Sequence, residues 1–307
     1  MAFLYASIAA IIGMRVRAKC NESGLNHYMG IAISAFIATM LAWASTLLPA
    51  EWTSTPWHPL LACALFIVPG VPLINFVDDM LDNYIQVGIV RAVNTLLMVS
   101  AMAFGIAFAV KLCSIGDFFP TISMVPHHNY LEYAIAAAIS AMGFSMIFNI
   151  QRRLLWVVAI GGIIAVCTRN FVNLGPSTNN IGLDMGLVIG SFSGSVLVSL
   201  IAIKAVHWFH VPNHVLTIPS VIPMIPGVLM YRMLFGLINM NVQSIDQVTP
   251  LMKAIESGVN SGLVIMCIAL GVAIPNIFGR KYIASSKNKR LAEILKERKA
   301  RGKFVEW

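Results

Sequence analysis

Long apolar runs recur from one end of this 307-residue chain to the other, and few charges interrupt them. Nine runs stand out, at 1–14, 28–48, 57–77, 91–112, 131–149, 154–170, 182–203, 215–238 and 254–277. A bilayer core about 30 Å thick is crossed by roughly 20 helical residues, so most of these runs are long enough to span it. Charged residues make up 11% of the chain, against about 25% in an average soluble domain. A core of this size cannot be covered by so few charges. A soluble enzyme, a disordered chain and a disulfide scaffold are excluded, leaving an all-α polytopic membrane protein. The five cysteines form no CxxC pair and read as small hydrophobes within apolar runs. Neither a metal site nor a cofactor is expected.

Charge placement gives the orientation. With the tail after residue 278 inside and the nine runs alternating, inner segments carry 17 Lys and Arg and outer segments carry 4. Short loops biased this way follow the positive-inside rule, with the N-terminus outside and the C-terminus in the cytoplasm. The first run holds fourteen residues before Arg15, Arg17 and Lys19. Its cations follow the apolar stretch, the reverse of a signal peptide. It reads as a helix lacking its start, with one more helix expected upstream. Segment 279–307 reads as a short basic amphipathic helix lying on anionic headgroups. It holds 10 basic and 3 acidic residues, whereas the rest of the chain holds 11 and 10. The net +8 is therefore a topology marker and a lipid contact, not a nucleic-acid footprint.

The two halves repeat. Gly30, Ile33 and Phe36 match Gly186, Ile189 and Phe192, and Pro69-Gly70-Val71 matches Pro226-Gly227-Val228. Val93-Asn94-Thr95 matches Val259-Asn260-Ser261, and Gly105-Ile106-Ala107 matches Gly271-Val272-Ala273. The offset of five runs is odd, so matched helices cross the membrane in opposite directions. That is the inverted-repeat plan of secondary transporters, whose substrate site lies near the midplane between repeats. The expected architecture is about nine transmembrane helices in two inverted modules, 1–113 with four helices and 130–278 with five.

Candidate chemistry clusters around two helix breaks. Pro69-Gly70 and Pro226-Gly227 interrupt their runs near the centre, where freed carbonyls are tolerated if buried or lining a wet cavity. A simple packing kink is the alternative. After the first break come Asn75, Asp78, Asp79 and Asp82, then Arg91. They form either a solvated acidic connection or an ionisable gate in which Asp79 pairs with Arg91 or takes a proton. After the second come Tyr231 and Arg232; an arginine in an apolar helix faces a cavity or snorkels to the interface. Asn94 and Asn260 could bind a zwitterionic or hydroxylated solute, or bond neighbouring helices. Glu256, one turn before Asn260, is another proton carrier. Gly182, Gly186, Gly190 and Gly194 form a smooth stripe for close helix packing. His207, His210 and His214, near Trp208 and Phe209, read as an interfacial belt and not as metal ligands.

The stretches IVPGVPLINFVDD and GIVRAVNTL within 67–97 resemble the membrane motif of the bacterial threonine/serine exporter family. FNIQRR at 148–153 and HVLTIPSVIPMIPGVLMYRM at 214–233 resemble that family's second membrane module. The resemblance implies an inner-membrane exporter of small hydroxylated amino acids that uses the proton gradient, with some two-component relatives associated with succinate export. It carries site roles to Pro69, Gly70, Asn75, Asp79, Gly88 and Arg91, and to Pro226, Gly227, Tyr231 and Arg232. The family's cytoplasmic N-terminal region and first helix are absent here, and Asp78 stands where many relatives are basic. The expected partners are a small polar solute, membrane lipid and protons, with a homo-oligomer or a second chain supplying the missing part. Dicarboxylate export is the alternative substrate reading, with Arg91 and Arg232 meeting the two carboxylates. A non-transporting scaffold is a third reading. An enzyme is not expected, since no nucleophile–base pair or metal-ligand set occurs within the runs.

Overall fold

The computed structural model describes residues 2–44, 47, 69–113, 129–176, 181–238 and 248–300. The described residues form helices and no strand: α1 (Ala2–Glu22), α2 (His27–Ala44), α3 (Gly70–Leu81), α4 (Ile85–Leu112), α5 (Tyr130–Ile147), α6 (Leu155–Asn173), α7 (Leu187–Phe209), α8 (Asn213–Val221), α9 (Gly227–Ile238) and α10 (Val248–Ala300). Among the described residues, six segments are long and apolar enough to cross a membrane: His27–Ala44, Ile85–Leu112, Tyr130–Ile147, Arg152–Asn173, Leu187–Val206 and Leu251–Gly279. Asn213–Met224 and Gly227–Met233 make a seventh if they count as one broken span. The chain is an all-α polytopic membrane protein.

Burial is arranged as a bilayer demands. Large apolar side chains such as Val90, Phe104, Leu131 and Phe278 point outward, while Ser34, Thr39, Ser145, Ser191, Ser195 and Thr217 are buried. Most of these buried hydroxyls bond the carbonyl one turn back, as in Thr39 to Ala35 O and Ser145 to Ala141 O, both at 2.8 Å. That local bond satisfies a polar group where no water is available. Trp156 and Phe209 meet edge to face with ring centroids 5.6 Å apart.

The apolar runs and the helices do not share all their bounds. The first run continues as helix through Arg15, Arg17 and Lys19 to Glu22, because basic residues are good helix formers and end an apolar run without ending a helix. It is not among the candidate spans. Of the run at 57–77, residues 57–68 lie outside the described residues. The basic tail is no separate short helix: α10 runs unbroken from Val248 to Ala300. Gly279 is the only glycine between the last apolar run and residue 300, and it is too weak a breaker to stop the helix.

Packing divides the chain into two compact units, Met1–His127 with Ile225–Met266, and His128–Met224 with Cys267–Trp307. In the first, α1 packs on α2, α2 on α4, α3 on α4, and α9 against α4. In the second, α5 packs on α6, α6 on α7, and α8 against both α6 and α7. The sequence modules and the packing units are different divisions, since α9 and the first part of α10 belong to the first unit.

The repeat is visible inside each unit. A Cβ on Gly105 of α4 would land on the Ala32 carbonyl of α2, so these two backbones touch. A Cβ on the matched Gly271 of α10 would lie 2.9 Å from Phe192 O of α7. Matched glycines thus let matched helix pairs approach. Half of the predicted stripe packs similarly, with Gly190 against Arg169 O and Gly194 against Ala165 O of α6, whereas Gly182 and Gly186 precede α7, where Gly186 at φ 85° starts the helix and does not continue it. Cys20, Cys113, Cys167 and Cys267 are free thiols. Burial pushes the Cys113 thiol up, so it stays protonated beside Met40 Sδ at 3.3 Å.

Candidate substrate site

The two Pro-Gly breaks begin two helices of equal length. α3 and α9 each run twelve residues from the glycine that follows the proline. In each, the proline carbonyl accepts the first helical bond, from Leu73 N at 3.0 Å and from Met230 N at 3.2 Å. Proline supplies no N–H and suits a helix start, so each break costs no backbone donor. Pro69 and Gly70 are buried.

These helices pair with α4 and the start of α10. A Cβ on Gly88 of α4 would lie 2.9 Å from Phe76 O of α3. In the second half the small residues are exchanged, with Gly236 of α9 against Ala254 of α10. Both pairings bring an Asn-bearing helix against a Pro-Gly helix within the first packing unit.

Between them lies a cavity of about 340 Å³, lined by thirteen of the described residues. Six come from the first half: Leu73 and Phe76 of α3, and Ala92, Thr95, Leu96 and Val99 of α4. Their repeat counterparts, in the registers set by the Pro-Gly and Asn matches, are Met230, Met233, Gly258, Ser261, Gly262 and Ile265. All six of those line the cavity too. Among the described lining residues, only Met266 lacks a counterpart there. Among the described residues the wall is apolar apart from two hydroxyls, on Thr95 and Ser261.

Charge breaks this symmetry. Arg91 of α4 forms an ion pair with Asp79 of α3, and both side chains are partly exposed. Asp79 lies one turn beyond Phe76, and Arg91 one turn before Thr95, so the pair borders the cavity wall. The repeat counterparts of Asp79 and Arg91 are Gly236 and Ser257, so the second half has no matching pair.

The two Pro-Gly pairs, Asn75, Asp79, Arg91, Asn94, Tyr231, Arg232 and Asn260 all fall in the first unit, but they do different things there. Asn94 accepts the Tyr28 hydroxyl of α2 at 2.6 Å and lines an open groove with Arg91. Asn260 is exposed on α10 and does not line the cavity. Tyr231 is 1% exposed, and its hydroxyl donates to Met102 Sδ at 3.5 Å within the apolar core. Asn75 and Arg232 are repeat counterparts, each half-buried on its helix. Thr95 and Ser261, each next to a predicted asparagine, are the polar residues that reach the cavity. The available signal was the repeat match itself, which aligned Asn94-Thr95 with Asn260-Ser261.

Comparison with known proteins bears on what such a site handles. Residues 1–113 match the family described as putative threonine/serine exporter, and residues 133–278 match the family described as threonine/serine exporter, ThrE. Over 104 residues the chain is 31% identical to the probable succinate transporter subunit YjjP of Klebsiella aerogenes. That match covers 34% of this chain and 40% of the relative, well under two thirds of the relative's length. No solved structure matches.

Proposed function

Because the chain belongs to the threonine/serine exporter family, we propose that it is a secondary active transporter exporting threonine or serine across a bacterial inner membrane against an inward flow of protons. The observation that carries this reading is the cavity walled by repeat-matched residues of α3, α4, α9 and α10, with one ion pair at its border. Repeat-built transporters hold solute where the repeats meet.

The ion pair supplies a coupling scheme. A zwitterionic amino acid presents one cation and one anion, so it can insert between Asp79 and Arg91 and satisfy both. Its ammonium meets the Asp79 carboxylate and its carboxylate meets the Arg91 guanidinium. A proton on Asp79 removes the ammonium's partner, so proton and substrate compete for one group. Competition of that kind makes an exchanger, with proton and solute moving in opposite directions. The short side chain then enters the apolar cavity. Asn75 and Arg232 stand at repeat-matched places beside the breaks, as gating or orienting groups.

Dicarboxylate export is the second reading, favoured by the name of the Klebsiella aerogenes relative. It asks Arg91 and Arg232 to hold two carboxylates, one of them beside Asp79. A dianion is repelled by that carboxylate, whereas a zwitterion is held by it, which favours the amino acid. The test is exchange of labelled threonine in proteoliposomes against unlabelled threonine, serine and succinate at imposed pH gradients. Exchange with threonine and serine that responds to the pH gradient is expected. Exchange of succinate without threonine rejects the amino-acid reading.

The expected orientation is N-terminus outside and C-terminus cytoplasmic, from the bias of basic residues. A homo-oligomer, or a second chain joining this one, remains the proposed assembly.

A further inference from the structure

We infer that Ser261 is the residue that distinguishes a hydroxylated substrate from its deoxy analogue. The inference rests on the amino-acid reading of the cavity and names the group that would set its selectivity. Ten serines and threonines are buried among the described residues. Nine donate to a carbonyl: seven to the residue one turn back, Ser34 to Ile31 O, and Ser199 to Val272 O. Ser261 is 3% exposed, lines the cavity, and its Oγ has no hydrogen-bond partner.

The contrast with its repeat counterpart is sharp. Thr95 Oγ1 donates to Arg91 O at 2.7 Å, so its proton is already used. The matching acceptor for Ser261 would be Ser257 O, and that bond is not made. The neighbouring lining residues differ in the same sense. Ala92 and Leu96 flank Thr95 in the lining, whereas Ser261 is flanked by Gly258, packed against the Met233 side chain, and by Gly262, where an added Cβ would meet nothing within 4 Å. A hydroxyl buried without a partner is unfavourable and becomes satisfied when a ligand supplies one. A site that hydrogen-bonds a substrate hydroxyl discriminates against the analogue lacking it far more strongly than an apolar pocket does.

The experiment compares binding of L-threonine and L-2-aminobutyrate, which differ only in the hydroxyl, to the detergent-solubilised chain by titration calorimetry. The unaltered chain is expected to bind threonine at least about tenfold more tightly. In Ser261→Ala that preference collapses, 2-aminobutyrate affinity is kept, and the melting temperature does not fall, because no internal bond is removed. A hydroxyl with a purely structural role would instead lower the melting temperature. If Ser261→Ala does not fold, Ser261→Cys, which is near-isosteric and a weak hydrogen bonder, gives the same readout. An undiminished threonine preference in the folded variant overturns the inference while leaving the amino-acid reading intact. Binding of succinate and of neither amino acid overturns that reading, and this inference with it.

Discussion

Asp79 and Arg91 sit where an apolar wall ends, and their value differs for folding and for transport. Both side chains are partly exposed, so the pair contributes at most about 1 kcal/mol to stability. Asp79→Asn and Arg91→Gln are therefore expected to unfold in denaturant close to the unaltered chain. Transport should respond strongly. Asp79→Asn can neither hold an ammonium as a carboxylate does nor take up a proton, so exchange should lose its dependence on an imposed pH gradient. Arg91→Gln should raise the half-saturation concentration for threonine by about tenfold or more, the usual cost of removing a charged hydrogen-bond partner. Proteoliposome exchange at two pH gradients measures both. These two residues were legible in the sequence because isolated charges near apolar runs are rare. Ser261 was not, because it is one hydroxyl among many. Residues 260 and 261 lie about 100° apart around a helix. A helix apolar on nearly all sides carries no stripe to say which of them faces a cavity.

At the scale of elements, glycine decides which helices touch. Gly105→Val would drive a side chain into the Ala32 backbone, and Gly271→Val would press on Phe192 O and Ser195 Cβ. Each is expected to cost about 1–3 kcal/mol by overpacking, read as a lowered melting temperature in detergent. Gly143 of α5 has nothing within 4 Å of an added Cβ. Gly143→Ala should therefore stabilise the helix by roughly 0.5–1 kcal/mol in the same measurement. Matched losses at positions 105 and 271 beside a gain at 143 would separate close packing from glycine content. Helix lengths were less legible. Arg15, Arg17 and Lys19 end an apolar run, yet the backbone remains helical through Glu22. The tail after residue 279 changes in polarity but not in backbone, so α10 continues to Ala300. Hydropathy reports where a bilayer would end, and helical hydrogen bonds do not depend on that boundary.

For the whole molecule, the bias of Lys and Arg makes orientation a direct prediction. A reporter fused after Trp307 should be active only as a cytoplasmic fusion, and activity on the outer side would reverse the assigned topology. Class and membrane residence follow from the sequence alone, because a chain with so few charges and such long apolar runs cannot cover a water-soluble core. The repeat also follows from the sequence, because Pro-Gly and Asn matches survive in register across the two halves. The tertiary structure alone decided how those matches are used. It placed α9 and the start of α10 with α3 and α4, and so made a cavity whose walls come from both repeats. It turned Thr95 and Ser261 toward that cavity, set Asn94 against Tyr28 and left Asn260 exposed. The physical reason is that hydropathy sums over a helix, whereas a site depends on which side of it each residue occupies. That side is set by packing against residues more than a hundred positions away.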